Sequence, residues 1–526
     1  MKARLPATLF TLLVFGGFLL ALAGCGDEGG GDDDGSQASA LAPPGSPIFV
    51  EATIRPQGEL KQNVEAVART IGGIDDLGGE IVSKLESEAR EDGEPFDFDT
   101  EVEPWLGERA GLFLRNGASD EEMAGGIALE TTDPDAAQSF VEKQAEVEKD
   151  PVEDASYEGV EYQLESGEGE ALGVVGDFLV LCDSEQIFKD VVDAHNGDSL
   201  DDEAAYQEAI DGAVEGSLAD VYVDIGLLIE QSGDEVDPTA LKAFESTGIK
   251  PEEATAVASV LPESDRVEVE ISSDLGDQEA PSGDASGLLG SLPADSFAAF
   301  AVSGFGEQLQ EALDQLDEEG IEGTVPPNQL KKGVREFGFD LDKIAASLDD
   351  AGLFASGTGE GNVGGAFVLT SDDSSEVATA IKTVGALVRQ SGTPGVKGLS
   401  GKINGFAVSD AEELGPQPLV VATKGDRVAI GYGMRQTMSA LEVGGGADLS
   451  TTPAYKAAVA ALGDTPISGF VDGPRALKLA DSLVPASDKA EFREAKKYLR
   501  NIASIALGSE ADGNRVTAKL IVSLAK

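Results

Sequence analysis

The chain has 526 residues, long for a single core and enough for two or three domains. Apolar residues make up 41%, and 65 Gly with 23 Pro fall well short of the share that marks a disordered low-complexity chain. A net charge of −61 repels phosphate backbones and argues against nucleic-acid binding. The acids are uneven: residues 25–286 carry 67 acidic and 13 basic residues, net −54, whereas residues 287–526 carry 31 and 22, net −9. Such a surface is first of all solubilising, with salt adaptation, diffuse cation binding or a basic partner as further readings.

Lys2 and Arg4 open the chain, residues 5–24 are uncharged and strongly apolar, and the run ends in Leu22-Ala23-Gly24-Cys25. A positive start, an apolar core and small residues before a cleavage point mark a signal peptide. The tetrapeptide resembles the bacterial lipobox. That resemblance implies that residues 1–24 are removed and that the Cys25 thiol carries a diacylglyceryl group, holding the chain on the extracytoplasmic face of the cell membrane. Two acyl chains suffice for stable anchoring. A plain transmembrane anchor is the competing reading, since the run is long enough to span a bilayer. The position of Cys25 and the signal-like flanks favour cleavage. Residues 25–44, rich in Gly, Asp, Ser and Ala, read as a flexible acidic linker. No further long apolar run follows, so the remainder is expected to be soluble and extracytoplasmic.

A first unit is expected over residues 45–275. Residues 46–54 read as a strand, and 62–71 and 77–89 have helical spacing interrupted by Gly72-Gly73. Pro104-Trp105-Leu106-Gly107 suggests a tight turn holding the single Trp of the chain. Strands are expected over 110–114 and 123–129, joined by a polar loop. Asp133-Pro134 opens a helix to about residue 148, with Asp133 as N-cap and Pro134 at the first helical position. Strands 160–164, 171–175 and 178–181 follow, the last two joined by Gly176-Asp177, a two-residue hairpin turn. Ser184 caps a helix to about His195, a short helix contains Tyr206, and a strand ends at Asp224. Residues 257–261 and 267–271 form a closing hairpin.

After a linker over residues 276–289, the pattern returns in a second unit over 290–526. Phe96-Asp97-Phe98-Asp99 and Ala110-Gly111-Leu112-Phe113 recur 241 residues later around Phe337-Gly338-Phe339-Asp340 and Ala351-Gly352-Leu353-Phe354. Gly425-Asp426 repeats the hairpin turn, Leu449 and Tyr455 echo Leu200 and Tyr206, Phe470-Val471-Asp472 answers Tyr222-Val223-Asp224, and a last hairpin turns at Asp512-Gly513. A series of echoes in one order argues an internal duplication. The fold expected is α+β: two tandem repeats of one unit, each a mixed, mainly antiparallel sheet with helices packed on it.

The Phe96 stretch, its Pro104-Trp105-Leu106-Gly107 and the doubled architecture behind a lipobox resemble a family of secreted or lipid-anchored proteins from high-GC Gram-positive bacteria, known only as a domain of unknown function. The resemblance covers most of the mature chain, the first unit more clearly. It implies no reaction, cofactor or catalytic residue. The second unit departs from it, with Ala345-Ala346-Ser347-Leu348 where the first has residues 104–107, so a role of the Trp turn would not be duplicated.

Enzymatic constellations are sparse. A single His, His195, excludes a multi-His zinc motif and sits at a helix end, where the dipole favours it. No Gly-x-Ser-x-Gly elbow occurs. Residues 359–364 fit the dinucleotide fingerprint by letter but join two strands instead of opening a helix. Residues 395–402 miss the phosphate-loop spacing by one. Asp32-Asp33-Asp34 and Asp201-Asp202-Glu203 lack the alternation of a calcium loop. Cys182, in an apolar run, reads as a small buried hydrophobe. No cofactor or metal is expected.

Two surface candidates remain. Trp105 is either a stacking platform for a wall sugar or an indole plugging the core. Lys489, Arg493, Lys496, Lys497 and Arg500 form one basic stripe of a helix, opposite Phe492, Ala495 and Leu499. That stripe suits docking on the acidic first unit, a teichoic polymer or lipid heads, and a solvated face is its bland reading. The function expected is a lipid-anchored, non-enzymatic binding or scaffolding module of the cell envelope, with a cell-wall polymer or envelope protein as partner. The alternatives are a solute- or lipid-carrier with a pocket in or between the units and, more weakly, a hydrolase using carboxylates.

Overall fold

The computed structural model describes residues 37–92, 95–116, 123–147, 151–166, 169–232, 250–276, 278, 283–320, 325–400, 403–409, 415–442 and 447–525. Residues 1–24, Cys25, Asp32-Asp33-Asp34, most of the loop after residue 116 and residues 401–402 lie outside the described residues. The chain divides into two compact units, Met1–Ala280 with Asp512–Thr517, and Pro281–Ala511 with Ala518–Lys526.

The strands of the first unit are β1 (Ile48–Thr53), β2 (Leu106–Asn116), β3 (Met123–Thr131), β4 (Val152–Tyr157), β5 (Val160–Glu165), β6 (Ala171–Val175), β7 (Phe178–Cys182), β8 (Ala219–Asp224), β9 (Thr255–Glu263) and β10 (Arg266–Asp274). They pair antiparallel in the order β4-β5-β6-β7-β3-β2-β1-β8-β9-β10. Helices α1 (Gly58–Gly72), α2 (Leu77–Asp92), α3 (Phe98–Glu101) and α4 (Pro134–Val147) share one core with Leu129 and Leu179. Helices α5 (Glu185–Asn196) and α6 (Ala204–Ile210) and the 3-10 turn Ala38–Leu41 share another with Phe49, Phe113 and Val180. Helix α7 (Ile225–Ser232) follows β8.

Local chemistry sets these boundaries. Gly73, at φ 68°, ends α1. Asp133 accepts from the Ala136 N–H at 3.0 Å, and Ser184 Oγ accepts from the Ile187 N–H at 3.3 Å. Gly176, at φ 58°, makes the β6–β7 turn that L side chains resist. All five residues of β7 are buried, as a strand covered on both faces requires. The mainly antiparallel sheet expected is found, and the pairings among the described residues are all antiparallel rather than mixed; helices pack on both of its faces. Apolar side chains point both ways from β2, β3 and β7, so neither side can be left to water.

The second unit contains β11 (Ser296–Val302), β12 (Leu348–Ser356), β13 (Gly364–Ser371), β14 (Val396–Gly398), β15 (Asn404–Val408), β16 (Leu419–Lys424), β17 (Arg427–Tyr432), β18 (Ile467–Asp472), β19 (Ile502–Asp512) and β20 (Arg515–Leu524). Their order is β14-β15-β16-β17-β13-β12-β11-β18-β19-β20. Nine helices accompany them among the described residues: α8 (Ser286–Gly290), α9 (Phe305–Glu319), α10 (Leu330–Glu336), α11 (Leu341–Ala346), α12 (Ser374–Gln390), α13 (Met434–Ala440), α14 (Pro453–Leu462), α15 (Gly473–Leu483) and α16 (Lys489–Leu499).

One face of this sheet carries a large core that includes Leu292, Phe354, Val368, Tyr455 and Phe470. The other carries a smaller one around Leu369, Ile381, Phe406 and Val428. Beside that smaller core lies an apolar row that is partly exposed, with Phe367 packed against Phe305. Phe300 pairs with Leu353, Leu353 with Phe367, and Phe367 with Ile430, across β11, β12, β13 and β17. Phe300, Leu353 and Ile430 are 40%, 52% and 42% exposed.

Candidate functional site

Trp105 closes the turn between α3 and β2. It is 2% exposed, its ring centroid lies 5.6 Å from that of Phe140, and its indole N–H donates to the Glu101 carbonyl at 2.6 Å. The Thr132 N–H donates to the Trp105 carbonyl at 2.8 Å, fastening the turn to the end of β3. Stacking on a sugar requires an exposed indole face, and this one is spent on the core. Trp105 is therefore a plug, and the platform reading gives way.

The most perturbed groups gather on the opposite face, under the turn Ala38–Leu41. A Cβ at Gly111 would lie 2.5 Å from Ala38 Cβ, so glycine there makes room for the turn. Ser39 Oγ donates to Asp201 Oδ1 at 3.1 Å, and the Gly45 N–H donates to Glu203 Oε1 at 3.0 Å. Asp202 closes a capping box with Ser199. Asp201 and Glu203 thus tie down the first described segment, while Asp202 holds Ser199.

Beneath the turn lies Glu51, whose Oε1 is enclosed without a hydrogen-bond partner. Burial pushes its carboxyl above the ordinary carboxylate range, opposed by Arg109 and by the Ala38 N–H. Tyr206 and Tyr222 stand edge to face beside it, 5.1 Å between centroids, and burial pushes both phenols up. The Tyr222 hydroxyl is buried with no hydrogen-bond partner among the described residues. Perturbed groups of this kind mark functional sites and structural networks alike. Sequence reading missed this cluster. Its signal was Glu51 itself, a charge two residues after Phe49 and hence on the same side of an otherwise apolar strand.

The basic stripe is on a helix, α16. Lys489, Arg493, Lys497 and Arg500 are exposed and Lys496 is half-buried. Lys496 Nζ lies 3.1 Å from Asp481, Lys497 Nζ lies 2.6 Å from Glu494, and Arg493 Nε donates to the Lys489 carbonyl at 3.0 Å. Opposite the stripe, Phe492 is half-buried, Ala495 is exposed and Leu499 is 42% exposed, and no residue of α16 is buried.

Two hollows belong to the first unit. One of about 670 Å³ lies between α4 and β4–β5 and is walled by Glu142, Asp154 and Glu161 with Gln138 and Gln163. Another of about 120 Å³ is lined by Arg55, Asp76, Phe98 and Glu103 among others. His195 lies against the β6–β7 turn, where a Cβ at Gly176 would meet its Cε1 at 2.8 Å. Cys182 is 1% exposed and burial pushes its thiol well up, which suits a core residue and not a nucleophile. Among the described residues no three His, Cys, Asp or Glu side chains lie close enough to hold a metal ion, and no helix is long and apolar enough to cross a membrane.

A family model described as "Protein of unknown function (DUF3352)" matches residues 79–525. The chain belongs to that family. The match takes in the Trp105 turn, the partly exposed row and the basic stripe, and begins after Glu51 and the turn above it. No curated protein matches the chain. Among solved structures, crystal forms III and I of TP0453 are similar, both at 10% identity. The likeness covers 47% of this chain in each case and 84% and 82% of theirs, with TM-scores of 0.27 and 0.25.

Proposed function

We propose that this chain is a lipid-anchored extracytoplasmic protein of the bacterial envelope, of the kind borne by high-GC Gram-positive bacteria, built from two tandem repeats and acting as a non-enzymatic binding or scaffolding module. The observation that carries the reading is Leu22-Ala23-Gly24-Cys25 at the end of an uncharged apolar run. The cysteine would carry the anchor; of the linker expected over residues 25–44, Ala38, Leu41 and Ala42 pack into the first unit's core instead. The non-enzymatic part is supported by the roles of the candidate residues: Trp105 plugs a core, Cys182 is buried, Asp201 and Glu203 tie down the first segment, and Asp202 holds Ser199.

The duplication is supported by matching strand orders and by matching bonds. The Leu200 N–H donates to the Ala42 carbonyl at 2.9 Å, and the Leu449 N–H to the Leu292 carbonyl at 2.8 Å. Ser46 Oγ donates to the Pro43 carbonyl at 2.7 Å, and Ser296 Oγ to the Pro293 carbonyl at 2.6 Å. Tyr206 on Tyr222 and Tyr455 on Phe470 form edge pairs at 5.1 and 5.4 Å. Where the Thr132 N–H meets the Trp105 carbonyl, the Asp372 N–H meets that of Ser347, so a serine takes the place of the plug.

Cell fractionation tests the anchor. The parent chain is expected in the membrane fraction in its cleaved form, and Cys25→Ser is expected there only as the uncleaved precursor, held by its apolar run, or else in the medium or the soluble fraction. Membrane retention of a cleaved Cys25→Ser chain equal to the parent's would overturn the reading. One observation favours a second reading, an envelope lipid carrier: the row Phe300-Leu353-Phe367-Ile430, exposed at Phe300, Leu353 and Ile430 and spanning roughly 14 Å at ordinary strand spacing. In the first unit the corresponding row, Val50-Leu112-Ile127-Leu181, is covered, with Val50 and Leu181 8% and 6% exposed. A lipid retained by the purified chain in native mass spectrometry, and lost with Leu353→Asp, would move the account to the carrier.

A further inference from the structure

We infer that α15 and α16 form a docking surface for an anionic phospholipid bilayer. The inference deepens the envelope reading, on which the presence of a nearby membrane rests. Most of this chain repels such a bilayer, residues 25–286 alone carrying net −54. α16 is the exception. Its cations follow one another at i, i+4, i+7, i+8 and i+11, a single stripe on 3.6-residue turns. Lys496 and Lys497 are engaged by Asp481 and Glu494. Lys489, Arg493 and Arg500 have no carboxylate within ion-pair reach among the described residues, so their charges face water.

The helix does not work for the core, since none of its residues is buried. Instead it exposes Tyr498 and Leu499, 51% and 42%, and α15 ends on Leu483, 46% exposed. Tyr498 and Leu499 lie off the stripe, so contact with the bilayer rests on the cations, whose long side chains reach phosphates. Charge complementarity selects the partner. Each Lys or Arg near an anionic lipid surface strengthens binding about fivefold, so three unpaired cations give about a hundredfold.

That is weak for a free protein and sufficient for a tethered one, because a leash turns docking into an intramolecular event. A lipid on Cys25 would keep the body close to the membrane. Salt screens repulsion from any acid more than about 8–10 Å from the bilayer.

The test uses the full mature chain with Cys25→Ser, so that its outcome does not depend on lipidation. Binding is measured by flotation with vesicles of phosphatidylglycerol and phosphatidylcholine in equal parts, and with phosphatidylcholine alone, at low and high salt. Salt-sensitive binding to the mixed vesicles and none to the neutral ones is expected. The triple variant Lys489→Glu, Arg493→Glu, Arg500→Glu should bind at least about a hundredfold more weakly. Its melting curve should match the parent's, because the three side chains are exposed. No binding of the parent, equal binding to neutral vesicles, or undiminished binding of the triple variant would each overturn the inference. Binding to soluble linear polyphosphate without binding to vesicles would also overturn it, in favour of a polyanionic polymer.

Discussion

Replacing Trp105 by alanine removes the largest side chain from a core made of Phe98, Leu129, Phe140 and Leu179. Truncating a buried Trp or Phe to Ala costs about 3–5 kcal/mol. The Glu101 carbonyl loses its indole donor as well, adding about 1 kcal/mol. A sum of about 4–6 kcal/mol rivals the whole stability of a marginal domain, about 5–15 kcal/mol. The first unit should therefore melt well below the second, and differential scanning calorimetry of the mature chain should resolve two transitions where the parent's lie closer. Trp105→Phe keeps an aromatic ring beside Phe140 and forfeits the hydrogen bond, so it should cost only about 1–2 kcal/mol. In the parent, fluorescence of the single Trp reports on the first unit alone, which assigns the transition. If Trp105→Ala melts within about 1 kcal/mol of the parent, the indole is not a plug and the reasoning fails.

Glu51→Gln probes the cluster under the N-terminal turn. A carboxyl whose folded value is raised contributes stability that is present below its unfolded value of 4.5 and lost as pH rises through the folded one. Glu51→Gln should thus melt higher than the parent at neutral pH, with the gain shrinking as pH falls towards 4.5; a gain that grows on acidification would contradict this. Gly125→Ala and Gly365→Ala would press a Cβ onto the carbonyl oxygens of Phe113 and Phe354, costing about 1–3 kcal/mol each in urea titrations of their own units. Arg427, 5% exposed, donates to the Ala440 carbonyl at 3.0 Å and to Ser291 Oγ. Arg427→Ala leaves those acceptors buried and should destabilise the second unit by about 2–4 kcal/mol by denaturant unfolding. Leu353→Ser, at a position 52% exposed, should shift stability by no more than about 0.5 kcal/mol; a larger loss would mean that the row is covered.

The elements that were legible in the sequence are those whose signals are local. Gly176-Asp177 and Gly425-Asp426 gave their hairpins because their glycines stand at φ 58° and 66°. Asp133-Pro134 and Ser184 gave helix starts because a side-chain oxygen two or three residues ahead of a free N–H is a local device. β4 was missed because Glu153, Asp154 and Ser156 face water along a sheet margin and leave only a weak alternation. α7 was missed because Ile225-Gly226-Leu227-Leu228-Ile229 is too short for helical periodicity to separate from a strand. Coverage of the sheets lies further beyond sequence. Nothing local tells that Phe492 of α16 is half-buried while Ala495 and Leu499 are exposed. Phe300, Leu353 and Ile430 read as core for the same reason. Glu51 becomes informative only once the Ala38–Leu41 turn is seen to close over it.

The most direct test of the central claim is the mass of the N-terminal peptide of the mature protein, released by protease from the membrane fraction of its own host. The account predicts a peptide that begins at Cys25 and carries a diacylglyceryl group on its thiol. A peptide that begins upstream of Cys25, or one with an unmodified thiol, would contradict the anchor and with it the envelope reading built on it.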